Sequence, residues 1–287
     1  MKTALVFGAS GQIGAPLLRR LGEAGWQVHA LSRDAHADAP GLRWLRGEFA
    51  AMPPLPASVD AIFSCGPLDH FARWHARAGI VAPRIVAFGS TSVHVKQASG
   101  DPHERDLAAR LRDAEALLFA SARERDAAAT VLRPTLVHGA GRDATLTRIA
   151  GMARRWGRFA LPRHATGLRQ PVHVDDLADA ALAACAADAA RAQGYDLPGG
   201  ETLAYREMVA RVLACLEPPR PLLELPMPLF RALLLPARLA GVASGFGDAA
   251  LARMREDLVF DAGPAARDFG YAPRAFIPAP GMFAPSQ

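Results

Sequence analysis

Short apolar runs recur along the chain, each bounded by polar or glycine-rich segments. Thr3–Phe7 is the first; Gln27–Leu31, Leu42–Arg46, Ala61–Ser64, Arg84–Gly89 and Thr130–Leu132 follow. Their length and their β-branched or aromatic content predict strands. Between several of them the apolar positions take helical spacing, at Ala15–Ala24, His70–Ala78, Arg105–Ala122 and Leu146–Arg155. Val174–Cys185 predicts a further helix with Asp175 or Asp176 near its start. Tyr195–Leu197 predicts a late strand, and Tyr205–Leu216 another helix. Strands alternating with helices predict a parallel sheet covered on both faces. After about residue 200 the alternation weakens and prolines multiply. The division expected is a larger unit over residues 1–200 and a smaller C-terminal lobe over 201–287.

The first strand runs into Gly8-Ala9-Ser10-Gly11-Gln12-Ile13-Gly14, and the first helix follows at once. Strand, glycine-rich turn and helix in that order form a site for a dinucleotide pyrophosphate. Gly8 allows the tight turn and Gly11 lets phosphates approach the backbone. Gly14 lets the helix pack close to the strand. Ser10, Gln12 and Ile13 complete the turn, and the helix N-terminus presents free N–H groups to an anion. The fold class expected is therefore α/β: a Rossmann doubly wound parallel sheet with a smaller C-terminal substrate lobe.

Composition narrows the setting. At 287 residues, with 51% hydrophobic and 21% charged residues, the chain has the make-up of a globular protein with a full core. Met1-Lys2 leads straight into a strand with no secretory pattern, so a cytoplasmic protein is expected. Cys65, Cys185 and Cys215 lie far apart, without metal-ligand spacing, and read as reduced thiols; no metal site is expected. The apolar stretch from Leu222 to Gly247 is broken by Pro226, Pro228 and Pro236 and carries Arg231 and Arg238, which argues against a membrane span. It is expected to pack on the protein or close over the ligand as a lid. The net charge of +5 is spread over scattered arginines with no aromatic-interleaved basic patch, so no nucleic-acid partner is expected.

The second strand ends Leu31-Ser32-Arg33-Asp34. Arg33 can pair with a 2′-phosphate, which favours NADP, with Ser32 beside it; Asp34 keeps NAD open. Glu48 and Phe49 follow the third strand, where an acidic residue could meet the adenine amino group. Cys65-Gly66-Pro67 follows the fourth, where small residues let a cofactor cross the sheet edge.

These signals continue in a fixed order. Phe88-Gly89-Ser90-Thr91-Ser92-Val93 is followed by Leu132-Arg133-Pro134-Thr135-Leu136-Val137-His138-Gly139. Arg169-Gln170-Pro171-Val172-His173-Val174-Asp175-Asp176-Leu177-Ala178 comes next, and Phe269-Gly270-Tyr271-Ala272-Pro273-Arg274 last. The chain thereby resembles the extended or atypical short-chain dehydrogenases/reductases, related to the NAD-dependent epimerase/dehydratase group, over nearly its whole length.

The resemblance breaks at the catalytic pair. Members of that group usually carry a Tyr with a Lys four positions later, the Tyr moving the proton that accompanies hydride transfer. This chain has three tyrosines, Tyr195, Tyr205 and Tyr271, and two lysines, Lys2 and Lys96; none forms that pair. Aligned on Ala114-Glu115, the Tyr and Lys positions hold Leu107 and Leu111. Ser90 matches the group's catalytic Ser/Thr. His94 and His138 stand where relatives often have Tyr, and an imidazole titrates near neutrality. Thr91, and His70 just beyond Pro67, are expected near the substrate. Arg169 matches an Arg that contacts the substrate diphosphate in nucleotide-sugar relatives, which implies an anionic substrate.

Two functions remain open from the sequence. One is an NADP-dependent oxidoreductase or epimerase-type enzyme acting on a small carbonyl-bearing or anionic metabolite, with Ser90 polarising the reacting oxygen and a His or water replacing the Tyr. The other is a non-catalytic NADP-binding regulatory or assembly protein. The resemblance also implies a homodimer formed through two sheet-flanking helices.

Overall fold

The computed structural model describes residues 1–143, 145–239 and 248–283. Its centre is a seven-stranded sheet built from β1 (Thr3–Phe7), β2 (Gln27–Ser32), β3 (Leu42–Arg46), β4 (Ala61–Ser64), β5 (Arg84–Phe88), β6 (Ala128–Pro134) and, from later in the chain, Gln193–Leu197. The late strand lies next to β6, and the order continues β5, β4, β1, β2, β3. Every pairing in this sheet is parallel. The chain order reverses between β1 and β4, which is where a doubly wound sheet opens its ligand crevice.

The central strands β1, β4 and β5 are buried because both faces of the sheet are covered there, while β3 at the edge exposes Arg43 and Arg46. Alternation along each strand deals its residues to two cores. Ala4, Val6, Val28, Ala30 and Phe63 point to one face, where Leu17 and Leu21 of α1 (Gly14–Glu23) pack with Leu177 and Ala181. Leu5, Phe7, Ile62, Ile85 and Val131 point to the other, toward Phe71 and Ala72 of α2 (Leu68–Arg77). A short helix, α3 (Ser92–Val95), precedes α4 (Pro102–Arg123), whose Ala114 and Leu118 complete that face. Leu107 and Leu111 lie on α4 and are half-buried, Leu111 against the same core.

The chain then forms β7 (Val137–His138), α5 (Leu146–Trp156), β8 (Phe159–Pro162), β9 (Leu168–Arg169), β10 (Val172–His173), α6 (Val174–Ala186), β11, which is the late sheet strand Gln193–Leu197, β12 (Leu203–Ala204), α7 (Tyr205–Ala214), β13 (Leu222–Leu225), α8 (Met227–Leu239), α9 (Asp248–Arg253) and α10 (Gly263–Phe269). Alanine fills the inner face of α6, with Ala178, Ala181 and Ala184 fully buried, so the helix sits close to the sheet. Its C-terminal carbonyls are met by a buried cation from β5: Arg84 donates through Nε to the Cys185 oxygen at 2.9 Å and through Nη2 to the Ala184 and Ala187 oxygens at 2.7 and 2.9 Å. A positive charge is favourable at that end of a helix.

A third core joins Leu146, Ile149, Phe159 and Leu161 to Met208, Val212, Phe230, Phe276 and Phe283. It draws on segments from both sides of residue 200. The apolar stretch expected to act as a lid is described as β13 and α8 up to Leu239; its remainder, 240–247, lies outside the described residues. Among the described residues no helix is long and apolar enough to cross a membrane.

The C-terminal motif is a clasp. Asp176 at the start of α6 accepts the Arg274 backbone N–H at 3.0 Å and its Nε–H at 2.7 Å. Tyr271 donates to the Pro198 oxygen at 2.8 Å, and Phe269 meets the Tyr195 ring edge-on at 5.0 Å. Tyr195 itself donates to Asp268 at 2.5 Å. Burial pushes the Tyr195 and Tyr271 phenols above their ordinary range. Both serve packing, far from proton transfer near neutrality.

Candidate active site

The glycine turn forms as its residue types require. Gly8 has φ +66°, and a Cβ there would lie 2.9 Å from the Cys65 carbonyl carbon and the Gly66 nitrogen. A Cβ on Gly14 would run into the Gly8 carbonyl oxygen and lie 2.7 Å from the Ala9 Cα. Gly11 N–H donates to the Gly8 oxygen at 2.9 Å, which closes the turn. Ile13 caps α1 without any side-chain hydrogen bond, so the opening turn of the helix has no capping side chain. Gln12 Oε1 is buried without a partner. An uncapped helix start and a backbone cradle that no side chain fills together fit a cofactor pyrophosphate.

The expected cofactor residues gather around this turn. Ser10 and Ser32 hydroxyls lie 3.1 Å apart, and Ser32 Oγ is also 3.1 Å from His36 Nε2. Arg33 is exposed at the end of β2, and Arg46 at the end of β3 donates to the Arg33 carbonyl at 3.3 Å. Glu48 is exposed; Phe49 stacks flat on Phe7 with centroids 5.4 Å apart. Cys65 and Gly66 form the loop beneath Gly8, and a Cβ on Gly66 would sit 3.8 Å from the Phe49 ring. Burial pushes the Cys65 thiol up to about 12, so it stays protonated and is no nucleophile.

Arg142 belongs to no sequence motif, yet from the loop after β7 its Nη1 donates to the Ser10 carbonyl at 2.7 Å. It straps the second half of the chain to the glycine turn, and nothing in a linear motif marks a contact across so many residues.

Beyond the β5 end lies a cavity of about 360 Å³. Ser90, Thr91, Thr135, Leu136, Met152 and Phe260 belong to its wall. Four cationic side chains also line it, Lys96, Arg148, Arg169 and Arg253, with no carboxylate among the described lining residues. Ser90 Oγ accepts the Ser92 N–H at 3.2 Å, and no acceptor for its own hydroxyl hydrogen is found among the described residues. Thr91 is buried and donates to the Pro134 carbonyl at 3.2 Å, which turns its hydroxyl to the backbone.

Arg169 is buried and does more than face the cavity. Its Nη1 donates to the Leu168 and Glu256 carbonyls at 2.6 and 2.7 Å, and its Nη2 to the Arg253 carbonyl. It brings β9 and the end of α9 together, with its guanidinium 5.3 Å over the Tyr205 ring. Desolvation lowers its pKa from the ordinary guanidinium range.

The three histidines are not brought to this wall. His138 is 3% exposed, between the rings of His173 (5.2 Å) and Phe276 (4.9 Å), and its Nδ1 has no partner. Desolvation, then the charges of His173 and Arg274, lowers its pKa to about 3, so it is neutral at physiological pH. His70 is exposed on the first turn of α2, 6.1 Å from the Phe49 ring. His94 is exposed near Phe260 and lies 3.1 Å from Asp196. Asp196 is 3.6 Å from Arg133, which forms a two-pronged pair with buried Glu115 at 2.8 and 2.6 Å. His173 accepts the Asp175 N–H at 3.2 Å and caps α6. Among the described residues no group of three or more His, Cys, Asp or Glu is placed to hold a metal ion.

Comparison with known proteins places this architecture. Residues 4–83 match the NAD dependent epimerase/dehydratase family. The chain is 28% identical to a 2-alkyl-3-oxoalkanoate reductase of Stenotrophomonas maltophilia (strain K279a), over 95% of each chain. Its fold is shared with the epimerase Mth375 of Methanothermobacter thermautotrophicus, with a TM-score of 0.70 and 14% identity over 96% of this chain and 88% of that one. It is shared also with a UDP-glucuronic acid 4-epimerase of Bacillus cereus crystallised with NAD, with a TM-score of 0.69 and 12% identity over 96% and 93%.

Proposed function

We propose that this chain, whose residues 4–83 match the NAD dependent epimerase/dehydratase family and whose fold is shared with an epimerase crystallised with NAD, is an NADP-dependent reductase of carbonyl compounds that bear an anionic group and an apolar body. The observation that carries this reading is the cavity wall, with Ser90 beside four cations, no carboxylate among its described residues, and an apolar remainder of Leu136, Ile149, Met152 and Leu258. The similar reductase, whose name specifies an oxoalkanoate, has a substrate of that chemical type.

Gly8, Ser10, Gly11, Gln12, Ile13 and Gly14 hold the cofactor pyrophosphate. Ser32 and Arg33 select the 2′-phosphate, Glu48 and Phe49 border the adenine, and Cys65, Gly66 and Pro67 let the cofactor pass the sheet edge. When bound, the nicotinamide supplies the hydride. Ser90 donates its free hydroxyl hydrogen to the substrate carbonyl and so polarises it. The cationic wall stabilises the negative charge that grows on that oxygen, because fixed charges in a partly dehydrated site need no reorganisation. The proton comes from water in the open cleft by way of Ser90, since His94, His138 and His70 stand outside the wall. Thr91 supports the Ser90 loop.

A cofactor-binding protein without turnover is the second reading, favoured by the half-buried leucines at 107 and 111. One experiment separates the two. NADPH oxidation is followed with 3-oxodecanoate, for wild type and for Ser90→Ala, after a thermal-shift titration with NADPH and NADH. Turnover that falls at least ~100-fold in Ser90→Ala, as loss of a donor to a developing oxyanion does, supports the reductase. A cofactor-dependent shift with no oxidation of NADPH supports the second reading.

A further inference from the structure

A second cavity, of about 670 Å³, adjoins the first, and Val95, Lys96, Arg253 and Leu258 line both. Glu104, in the first turn of α4, is tied at this shared wall. Its Oε1 is paired with Arg253 and lies 3.6 Å from Lys96 Nζ, while its Oε2 accepts the Ser99 hydroxyl at 2.7 Å. Its side chain is only 12% exposed. One carboxylate thus serves two cations that face the cavity where Ser90 stands. Arg169 adds a further positive charge but spends its donors on backbone carbonyls. Across the two cavities Lys96, Arg148, Arg169 and Arg253 stand against Asp101, Glu104 and Glu256, and two partly dehydrated cations that share one carboxylate favour an incoming anion.

We propose that Glu104 is a displaceable counter-ion: the substrate's carboxylate takes Lys96 and Arg253 from it, and the wall between the two cavities opens as Glu104 leaves. This rests on the reductase reading for the nature of the ligand and deepens it. The acceptable substrate becomes an alkyl carboxylate whose length can extend past the first cavity. The device also rejects neutral carbonyl compounds. Without an anion of its own, a ligand leaves the latch closed and meets only the smaller cavity. Ser99 holds the carboxylate in the closed position, and α4 provides the rigid base from which it swings.

The test is a binding measurement on NADPH-saturated protein, with octanoate and octan-1-ol as probes and wild type, Glu104→Gln, Arg253→Met and Lys96→Met as samples. Glu104→Gln removes the competing charge and is expected to tighten octanoate on the order of tenfold, the size of a charge-assisted hydrogen bond. Arg253→Met is expected to weaken octanoate by a similar factor, and Lys96→Met by less, with octan-1-ol unchanged throughout. Raising KCl from 50 to 500 mM is expected to weaken octanoate in wild type and leave octan-1-ol alone, which tests the idea even if a variant fails to fold. Equal octanoate affinity in wild type and Glu104→Gln overturns the latch, as does an equal gain for the alcohol. Binding of UDP in place of octanoate overturns the alkyl carboxylate. Octanoate binding that follows these variants supports the latch even where no 3-oxo acid is reduced; in that case the reductase reading falls by itself.

Discussion

Lowering the pH from 7 to 5 should destabilise this protein chiefly through buried histidines, and His138 gives the sharpest case. In the folded chain its ring is held neutral between His173 and Phe276, with a pKa lowered to about 3, desolvation first among the causes. In the unfolded chain it takes a proton near the ordinary ~6.5. Acid therefore favours the unfolded state through this ring, and stability is lost as pH falls below ~6.5. At pH 5 the unfolded ring gains RT ln(1 + 10^1.5), about 2 kcal/mol, against only a small fraction of that at pH 7. The net loss is about 2 kcal/mol from one side chain, against a total stability on the order of 5–15 kcal/mol. His75, lowered to about 4 by desolvation and Arg125, adds a similar amount. His138→Phe keeps an aromatic ring in the same packing and removes the titration. Urea melts followed by tryptophan fluorescence at pH 7, 6 and 5 read the difference. The pH 7-to-5 loss of the variant should be smaller than that of wild type by about 2 kcal/mol, roughly 0.7 M in midpoint at a slope of ~3 kcal/mol/M. The carboxylates held low, Asp60 and Glu201, respond only at more acid pH and do not confuse the comparison. Equal losses in the two proteins would refute the assignment of the pH response to this ring.

Three further outcomes follow from the same structure. Arg33→Ala should weaken NADPH binding roughly tenfold or more, by the loss of a charge-assisted contact, and leave NADH binding within twofold; isothermal titration with both cofactors checks it, and equal losses would remove Arg33 from phosphate recognition. Gly14→Ala forces α1 away from the Gly8 carbonyl, so it should cost about 1–3 kcal/mol and lower Tm by several degrees while abolishing the cofactor-induced thermal shift; a normal shift would mean that the turn tolerates a side chain. Asp176→Ala leaves the Arg274 N–H without its acceptor, and should cost about 1–3 kcal/mol and speed tryptic cleavage after Arg274, read by timed trypsin digestion and mass spectrometry.

Much of the fold was legible along the chain. Five of the six early strands start at the residue where β-rich runs place them and end within one residue of it; at the sheet centre a strand covered on both faces must be apolar throughout, as Thr3–Phe7 and Ala61–Ser64 are. The glycine turn was legible for a similar reason: its positive φ and its contact with the Cys65–Gly66 backbone admit no side chain, so the constraint is written in residue type. The short pairs β7–β10, β9–β12 and β8–β13 left no such trace, since two to four residues carry no periodicity and their partners are distant.

The site divides along the same line. Ser90 and the residues of the glycine turn sit in local motifs and were nameable from the linear order. Lys96, Arg148 and Arg253 belong to no motif; they share a wall because α3, α5 and α9 converge there. His138 shows the opposite case, a chemically capable residue at a suggestive place whose ring is buried in the core, where burial removes its charge. A residue's type states what it can do, and local backbone demands reveal some positions outright. Proximity, dehydration and counter-charge come from contacts between distant segments, and these decide whether a side chain faces a ligand or fills a core.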